Sequence, residues 1–455
     1  MIARGFFVFA AALVGRRWEF GSLQSSHEDE YKPAFCQPGS TMETVARETV
    51  TDVSFEDIEG ARERIAPHVQ QSPCPYSELF SQQFGCKVYL KLENLHLTGS
   101  FKERGACNRL IQMSDQDRAD GVVAASAGNH AQAVALYASK FDIQAKIVMP
   151  EGTPLVKVTR TRNFGGEVIL KGANFDEAYD HAVEVAKEEN RHFIHPFNDS
   201  DIIAGQGTIG LELLEQNPYL DTVLVPIGGG GMAAGIAVAI KETNPKIRVI
   251  GVEAEVLSSM KASIEAEAVV ELPAATTLCD GIAVRRVGEL PRRILSMYLD
   301  GIVTVSEQEV AGAVLDILET EKMIAEGAAA APIAALAAEK IENIKGRRVC
   351  AVISGGNIDV NVVARIIERG LVATGRIYRL DLQLRDTPGA LAEVLAEIAE
   401  MDANVLEVHH NRTFAEGSPV GMTNVEFKLE TRGADHIERL RTNLKSAGYR
   451  FLDHL

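Results

Sequence analysis

A chain of 455 residues with 46% hydrophobic residues carries enough apolar material for two or three globular domains. Its formal net charge of −17 gives no electrostatic support to nucleic-acid binding, and the acidity reads as a solubility feature. The six cysteines (Cys36, Cys74, Cys86, Cys107, Cys279, Cys350) form no C-x-x-C pair and have no histidine at metal-ligand spacing, as suits a reduced cytoplasmic protein without disulfides or zinc.

The chain opens with Arg4 and an apolar run over 6–15 that imitates a signal peptide. Arg16, Arg17 and Trp18 follow at once, without a small-residue cleavage site. The run is also far shorter than the ~18–20 residues of a membrane span. Met42 stands just ahead of the first patterned segment. Residues 1–45 are therefore expected to be a disordered N-terminal extension, with no membrane partner.

Ser54 and Asp57 make a capping-box start for a helix reaching Pro67. Residues 87–93 read as a strand, and 97–106 (LTGSFKERGA) as a turn entering a helix, with Ser100 and Glu103 spaced as a second capping box. Lys102 then falls in the first turn, where the positive end of the helix dipole disfavours a cation. An amine at that place is suited to lose its charge. A strand at 121–126 and a helix over 129–140 follow. Short strands at 145–150, 167–172 and 192–197 are separated by helical segments such as 175–190. The series continues at 223–228, 247–254, 302–306 and 348–356. Short apolar strands alternating with helices predict an α/β fold, a mainly parallel sheet covered on both faces. The alanine-rich run 325–338 reads as a buried helix without a binding motif.

Beyond about residue 370 the texture changes. Residues 378–386 alternate with period two, and a helix over 388–401 is headed by Pro388 with Asp386 or Thr387 as its cap. Strands at 404–410 and 424–430, a helix over 435–446 and a closing strand at 449–452 complete a β-α-β-β-α-β order. That order predicts a ferredoxin-like unit. His409 and His410 lie on one of its strands and read as structural.

Three polar turns follow strands of the α/β part. Gly228 to Gly231 admit two readings. Residues 228–233 fit G-x-G-x-x-[GA], with Glu253 about 20 residues on, as a dinucleotide fingerprint requires. Four contiguous glycines also suit a loop wrapped around one compact phosphate, held by backbone N–H groups and the helix dipole. Ser126-Ala127-Gly128-Asn129-His130 offers backbone donors and the Asn129 amide to a carboxylate or ring oxygen, or else is a plain helix-starting turn. Ser354-Gly355-Gly356-Asn357 is the third.

TGSFKERGA (98–106), SAGNHAQAVA (126–135), PIGGGGMAAG (226–235) and ISGGN (353–357) stand in the order and spacing of the fold type II pyridoxal-phosphate enzymes, the tryptophan synthase beta-like fold. Within that group the chain resembles the threonine dehydratases (threonine ammonia-lyases). The match extends through 195–216 and 277–284 and runs almost continuously over 52–370. The last 80 residues resemble a single ACT domain. The resemblance implies a two-lobed catalytic domain over 46–372 with doubly wound, mainly parallel sheets. A small lobe of about 121–199 would be inserted in the large lobe, and an ACT regulatory domain would span 376–455.

It also implies pyridoxal 5′-phosphate as cofactor, carried by Lys102 as a Schiff base, with Lys102 then removing the substrate Cα proton. Gly228, Gly229, Gly230, Gly231 and Met232 would hold the phosphate. Phe101 would pack on the ring, Asn129 would bond its 3′ oxygen and Ser354 its nitrogen. Ser100, also catalytic, and the turn Ser126, Ala127, Gly128, Asn129 and His130 would grip the substrate carboxylate. A serine at the ring nitrogen makes a weaker electron sink than a carboxylate would, which favours β-elimination over racemisation or transamination. Ala127 stands where related serine racemases carry their second acid–base serine. Of the acids around their divalent cation only Glu253 is matched, with Ser259 near a second, so no divalent metal is expected and a monovalent ion stays open. Cys279, often alanine in the family, reads as a small core residue.

The implied activity is dehydration and deamination of threonine, and of serine, in isoleucine biosynthesis or catabolism. An amino-acid effector would bind at the loop Asp386-Thr387-Pro388-Gly389: isoleucine, valine or none. A cytoplasmic homo-oligomer, dimer or tetramer, is implied, with no nucleic-acid partner. A β-replacement synthase of the same fold is one alternative; a nucleotide-binding oxidoreductase or amino-acid sensor without the cofactor is another.

Overall fold

The computed structural model describes residues 53–411 and 419–452; the expected N-terminal extension lies outside them. The strands of the first part are Tyr76–Ser77 (β1), Lys87–Leu92 (β2), Val122–Ala125 (β3), Ala145–Met149 (β4), Glu167–Leu170 (β5), His192–Phe193 (β6), Thr222–Pro226 (β7), Arg248–Ala254 (β8), Gly301–Val305 (β9) and Arg348–Ile353 (β10). They form two sheets. A six-stranded sheet has the order β1-β2-β10-β7-β8-β9, parallel except for the β1–β2 pair. A four-stranded sheet has the order β5-β4-β3-β6 and is parallel throughout. Its strands fall in the chain between β2 and β7, so the smaller lobe is an insertion in the larger. The central strands are buried on both faces, and their sequences are accordingly continuous apolar runs such as Val122–Ala125 and Val349–Ile353.

Three helices set the site, and glycines let their backbones nearly touch. They are Lys102–Ile111, Ser200–Gln216 and Gly231–Thr243. A Cβ on Gly205 would stand 2.7 Å from Arg104 O, and one on Gly235 would stand 2.3 Å from Ile203 O and 2.5 Å from Gly207 N. The middle helix therefore fixes both of its neighbours, whose N-termini carry the lysine and the glycine loop. Under them lies a buried ionic cluster. Arg104 bonds Glu93 at 2.7 Å and Glu212 at 2.6 Å, and Lys91 bonds Glu212 at 2.6 Å. Two cations face two carboxylates, so the charges balance, and the Arg104 guanidinium holds the Glu93 carboxyl well below its usual range against the opposing cost of burial.

The C-terminal part contains Ile377–Arg385 (β11), Asn404–Asn411 (β12), Met422–Glu430 (β13) and Arg450–Phe451 (β14). All pairs are antiparallel, in the order β12-β13-β11-β14, with helices Ala390–Glu400 and Ala434–Ser446. Leu380, Leu382, Leu384, Val425, Phe427 and Leu429 form one apolar face, which Val394, Ile398, Leu440 and Leu444 cover. This is the ferredoxin-like arrangement that the β-α-β-β-α-β order predicts. The first helix starts later than expected. Gly389, at φ 96°, is its cap residue in place of Asp386 or Thr387. Helix Val360–Ala373 connects the turn after β10 to β11. Among the described residues no helix is long and apolar enough to cross a membrane.

Candidate active site

The helix of the unusual lysine begins at Lys102 itself, and no side chain caps it. The expected Ser100–Glu103 capping box is not made. Glu103 instead accepts from the Thr98 N–H and, at 2.9 Å, from the Tyr137 hydroxyl. The cause is the neighbouring strand end. Ser100 bridges Gly355 and the Phe101 N–H bonds Ser354 O at 3.0 Å, which ties Ser100 to that strand end and not to the helix start. Ser100 Oγ is left buried without a hydrogen-bond partner.

Lys102 Nζ donates to Pro196 O at 2.8 Å and lies 5.1 Å from the centroid of the Phe101 ring. Burial lowers its pKa to about 8, against the opposing pull of the Glu326 carboxylate. A neutral amine is thus within reach near neutral pH, as the misplaced charge in the sequence suggested. His195 is also held neutral, its pKa pushed down to about 4 by burial and by Lys102.

Pro196 and Phe197 join the lysine to the glycine loop. The Phe197 ring lies where a Cβ on Gly229 would be 2.2 Å away, and Phe197 O lies 2.9 Å from one on Gly231. Helix Gly231–Thr243 starts from Gly230 at φ 95°, a conformation that favours glycine. Its first backbone bond runs from Ala234 N–H to Gly230 O at 2.9 Å. The N–H groups of Gly231, Met232 and Ala233 therefore have no acceptor within the helix and form an anion cradle.

The dinucleotide reading of this loop needs Glu253 for a ribose. Glu253 is otherwise engaged: its carboxylate accepts the N–H groups of Met260 at 2.8 Å and Lys261 at 2.9 Å, at the start of helix Ser259–Glu265. Ser259 Oγ donates to Val284 O at 2.6 Å. Among the described residues no group of three or more His, Cys, Asp or Glu side chains could hold a metal ion. Cys279 is fully buried, and burial raises its thiol pKa to about 12.

The turn Ser126 to His130 leads into helix Asn129–Lys140. Ser126 Oγ accepts the Gly128 N–H at 3.1 Å. A Cβ on Gly128 would meet nothing within 4 Å, so the turn faces open space. His130 ends the turn. Its side chain is buried and its Nε2 bonds Ile194 O at 2.9 Å, with burial pushing its pKa to about 3, and its backbone N–H lies at the helix start. Asn129 Nδ2 donates to both oxygens of Glu326, at 2.9 and 3.2 Å, and its Oδ1 accepts from Asn357 Nδ2 at 2.8 Å. Ser354 is buried just past the end of β10, and its carbonyl accepts the N–H of Phe101, the residue before Lys102.

Glu326 escaped the sequence reading, which took its segment for plain core. It precedes helix Gly327–Ala337, is buried, and its pKa is raised to about 7 by burial and by Asp280. Gly355 and Gly281 make room for it, since a Cβ on either would stand 2.5 or 3.0 Å from its Oε1. One signal was available: Glu326 is the only charged residue in the run 325–338.

The fold thus brings together, at the C-terminal ends of parallel strands, a half-buried lysine, an anion cradle, an unpartnered buried hydroxyl and a buried acid bonded to a half-buried amide. Residues 65–355 match the model of the family described as pyridoxal-phosphate dependent enzyme. The L-threonine ammonia-lyase of Thermotoga maritima is 47% identical over 397 residues, 87% of this chain and 98% of that one. The catabolic L-threonine dehydratase TdcB of Staphylococcus aureus strain N315 is 44% identical over 334 residues, 73% of this chain and 96% of that one. Among solved structures, the processed form of threonine deaminase isoform 2 from Solanum lycopersicum superposes with a TM-score of 0.66 at 36% identity, covering 69% of this chain and 91% of that one. With more than half of its length matched by the family model, and a relative matched almost end to end, this chain belongs to the family of pyridoxal-phosphate-dependent enzymes that includes the threonine ammonia-lyases.

Proposed function

We propose that the protein catalyses the pyridoxal-phosphate-dependent β-elimination of L-threonine, and of L-serine, to a 2-oxo acid and ammonia. The observation that carries this reading is the Lys102 amine, buried with its pKa lowered to about 8 and joined through Pro196 and Phe197 to the glycine loop. The unpartnered Ser100 hydroxyl and the open N–H groups of Gly231 and Met232 fit a phosphorylated pyridine aldehyde and an amino-acid carboxylate. When bound, that cofactor supplies an aldehyde that takes up amino groups and a conjugated ring that stabilises negative charge at Cα.

This chain's residues do the rest. Gly228 to Gly231 and Met232 hold the phosphate through backbone N–H groups, and the Phe101 ring packs beside the pyridine. Ser354 faces the ring nitrogen as a hydroxyl, which leaves the ring less electron-withdrawing than a carboxylate partner would. Asn129, aligned by Glu326 and Asn357, bonds the ring oxygen after one of its N–H groups turns from Glu326. Ser100 and the N–H groups from Ser126 to His130 grip the substrate carboxylate. Lys102, neutral and fixed by Pro196 O, takes the Cα proton. Ala127 has no proton to exchange on the opposite face, which supports elimination over racemisation.

The ferredoxin-like unit over 376–455 is proposed as an ACT regulatory domain with an amino-acid effector at Asp386–Gly389, attached to a catalytic domain over 46–372. The protein is proposed to work as a cytoplasmic homo-oligomer, dimer or tetramer.

The test is 2-oxo acid release across an amino-acid panel, with Lys102→Ala alongside. Threonine and serine should be turned over. The variant should lose the visible absorbance of bound cofactor and fall at least ~10³-fold in rate, since a base is worth about 10²–10⁴ and the covalent link is lost with it. A colourless wild type, or a variant with more than a thousandth of its activity, would falsify the reading.

A further inference from the structure

Helix Leu155–Asn163 of the small lobe reaches the large lobe at two points, and both lead to the same buried pair. Arg160 Nη1 donates to Asn357 Oδ1 at 3.1 Å. Asn357 Nδ2 donates to Thr98 O at 2.6 Å and to Asn129 Oδ1 at 2.8 Å, and Asn129 Nδ2 donates to Glu326. One helical turn earlier, Lys157 Nζ pairs with Asp280 Oδ2 at 3.0 Å. Asp280 opens the short helical turn Asp280–Ile282, and Gly281 of that turn lies against the Glu326 carboxylate.

Hydrogen-bond direction gives this chain a sense. A guanidinium can only donate, so Arg160 requires the oxygen of Asn357 to face it. The Asn357 amide nitrogen is then turned toward Asn129, whose oxygen must receive it. That leaves the Asn129 nitrogen on the Glu326 side, where it donates to that carboxylate. From the other end, Glu326 enforces the same order only as a carboxylate. When protonated it becomes a donor and can take the Asn129 oxygen instead. Its pKa of about 7 makes both forms available near neutrality. Arg160 and Thr98 O keep the order in either case.

We propose that Arg160 and Lys157 are positioning residues, tying the small lobe across the cleft so that the Asn357 amide holds Asn129 in its donating orientation toward the cofactor. The inference rests on the proposed function, because it assigns Asn129 a bound ring as its partner. Neither side chain touches the reacting atoms. Arg160 fixes the direction of the amide chain, and the Lys157–Asp280 pair fixes the height of the helix that presents it. The Lys157 side chain is 24% exposed and Asp280 55% exposed, so their pair is weak on its own and acts by orientation.

The experiment compares cofactor-loaded wild type with Arg160→Ala, Arg160→Lys, Lys157→Glu and the swapped pair Lys157→Glu with Asp280→Lys. The readouts are the visible spectrum of the bound cofactor, its rate of loss on dilution, and kcat and KM for threonine. Arg160→Ala and Lys157→Glu are expected to shift the spectrum, speed cofactor loss and lower kcat/KM about tenfold, the scale of one positioning hydrogen bond. Their thermal midpoints should stay near that of wild type, because both residues lie at the surface. Arg160→Lys, which still donates, and the swapped pair should each restore the spectrum. Wild-type spectra and kinetics in the single variants would overturn the inference, as would a swapped pair no better than Lys157→Glu alone. Should Arg160→Ala fail to fold, the Lys157 swap decides. A wild type that takes up no cofactor would overturn the proposed function and this inference together; a loaded wild type with indifferent variants overturns the inference alone.

Discussion

Two ionisable groups of this site are moved toward their neutral forms by burial. Lys102 is lowered to about 8 and Glu326 raised to about 7. For Lys102 the cost of removal from water outweighs the attraction of Glu326, and for Glu326 burial and the nearby Asp280 outweigh the Asn129 bond and Lys157. Glu326 therefore leaves a mark on stability whose sign is opposite to that of most acids. Its folded pKa lies above the ordinary 4.5, so between pH 4.5 and about 7 the folded state binds more protons than the unfolded state. Stability from this group is complete below 4.5 and is lost as pH rises through about 7. In the cofactor-free protein, Glu326→Gln should flatten that decline in thermal midpoint while keeping the amide contact to Asn129. A decline of equal slope in the variant would show that the carboxyl is ionised throughout.

At the scale of elements, the site is a meeting of helix starts, and its precision comes from glycines at the helix crossings. Gly235 is one tight case: an added Cβ would meet the backbone of Ile203 and Gly207, which cannot swing away as a flexible side chain can. Gly235→Ala should push helix Gly231–Thr243 off helix Ser200–Gln216, costing ~1–3 kcal/mol as overpacking does. It should weaken cofactor retention as well, measured by denaturant unfolding and by cofactor titration. An unchanged midpoint with unchanged retention would refute the close-packing role. The same scale explains what could be read in the sequence. The strands, the glycine turns and Lys102 are local signals, written in patterns of a few adjacent residues. The false capping box shows the limit, since Glu103 is claimed by Thr98 and by Tyr137, 34 residues onward. Glu326 was missed for the same reason. Its partners Asn129 and Gly355 come from other elements, and its own neighbours in sequence are alanines and glycines.

For the whole molecule, the question is what the C-terminal ferredoxin-like unit contributes to the α/β part. Helix Val360–Ala373 belongs to the α/β part, since Ile366 sits in its core and Leu315 lies 2.1 Å from where a Cβ on Gly370 would stand. Past it, the side-chain ties across to the ferredoxin-like unit include Arg376–Glu319 and Lys428–Glu368, all substantially exposed except Lys428, which is 29% exposed. Such pairs are worth about 0–1 kcal/mol each, too little to hold the α/β fold together. The ferredoxin-like core, by contrast, closes on itself through its own leucines and valines. The two matched relatives agree with this division: one aligns over 397 residues and the other over 334, each nearly its full length. A chain ended after Thr374 should therefore fold, bind pyridoxal phosphate and turn over threonine with kcat/KM close to that of the full chain. Any change in rate that the full chain shows on adding isoleucine or valine should vanish in the shortened one. Loss of cofactor binding in the shortened chain would mean that the C-terminal unit supports the site directly. A persisting amino-acid response would place the effector in the α/β part instead.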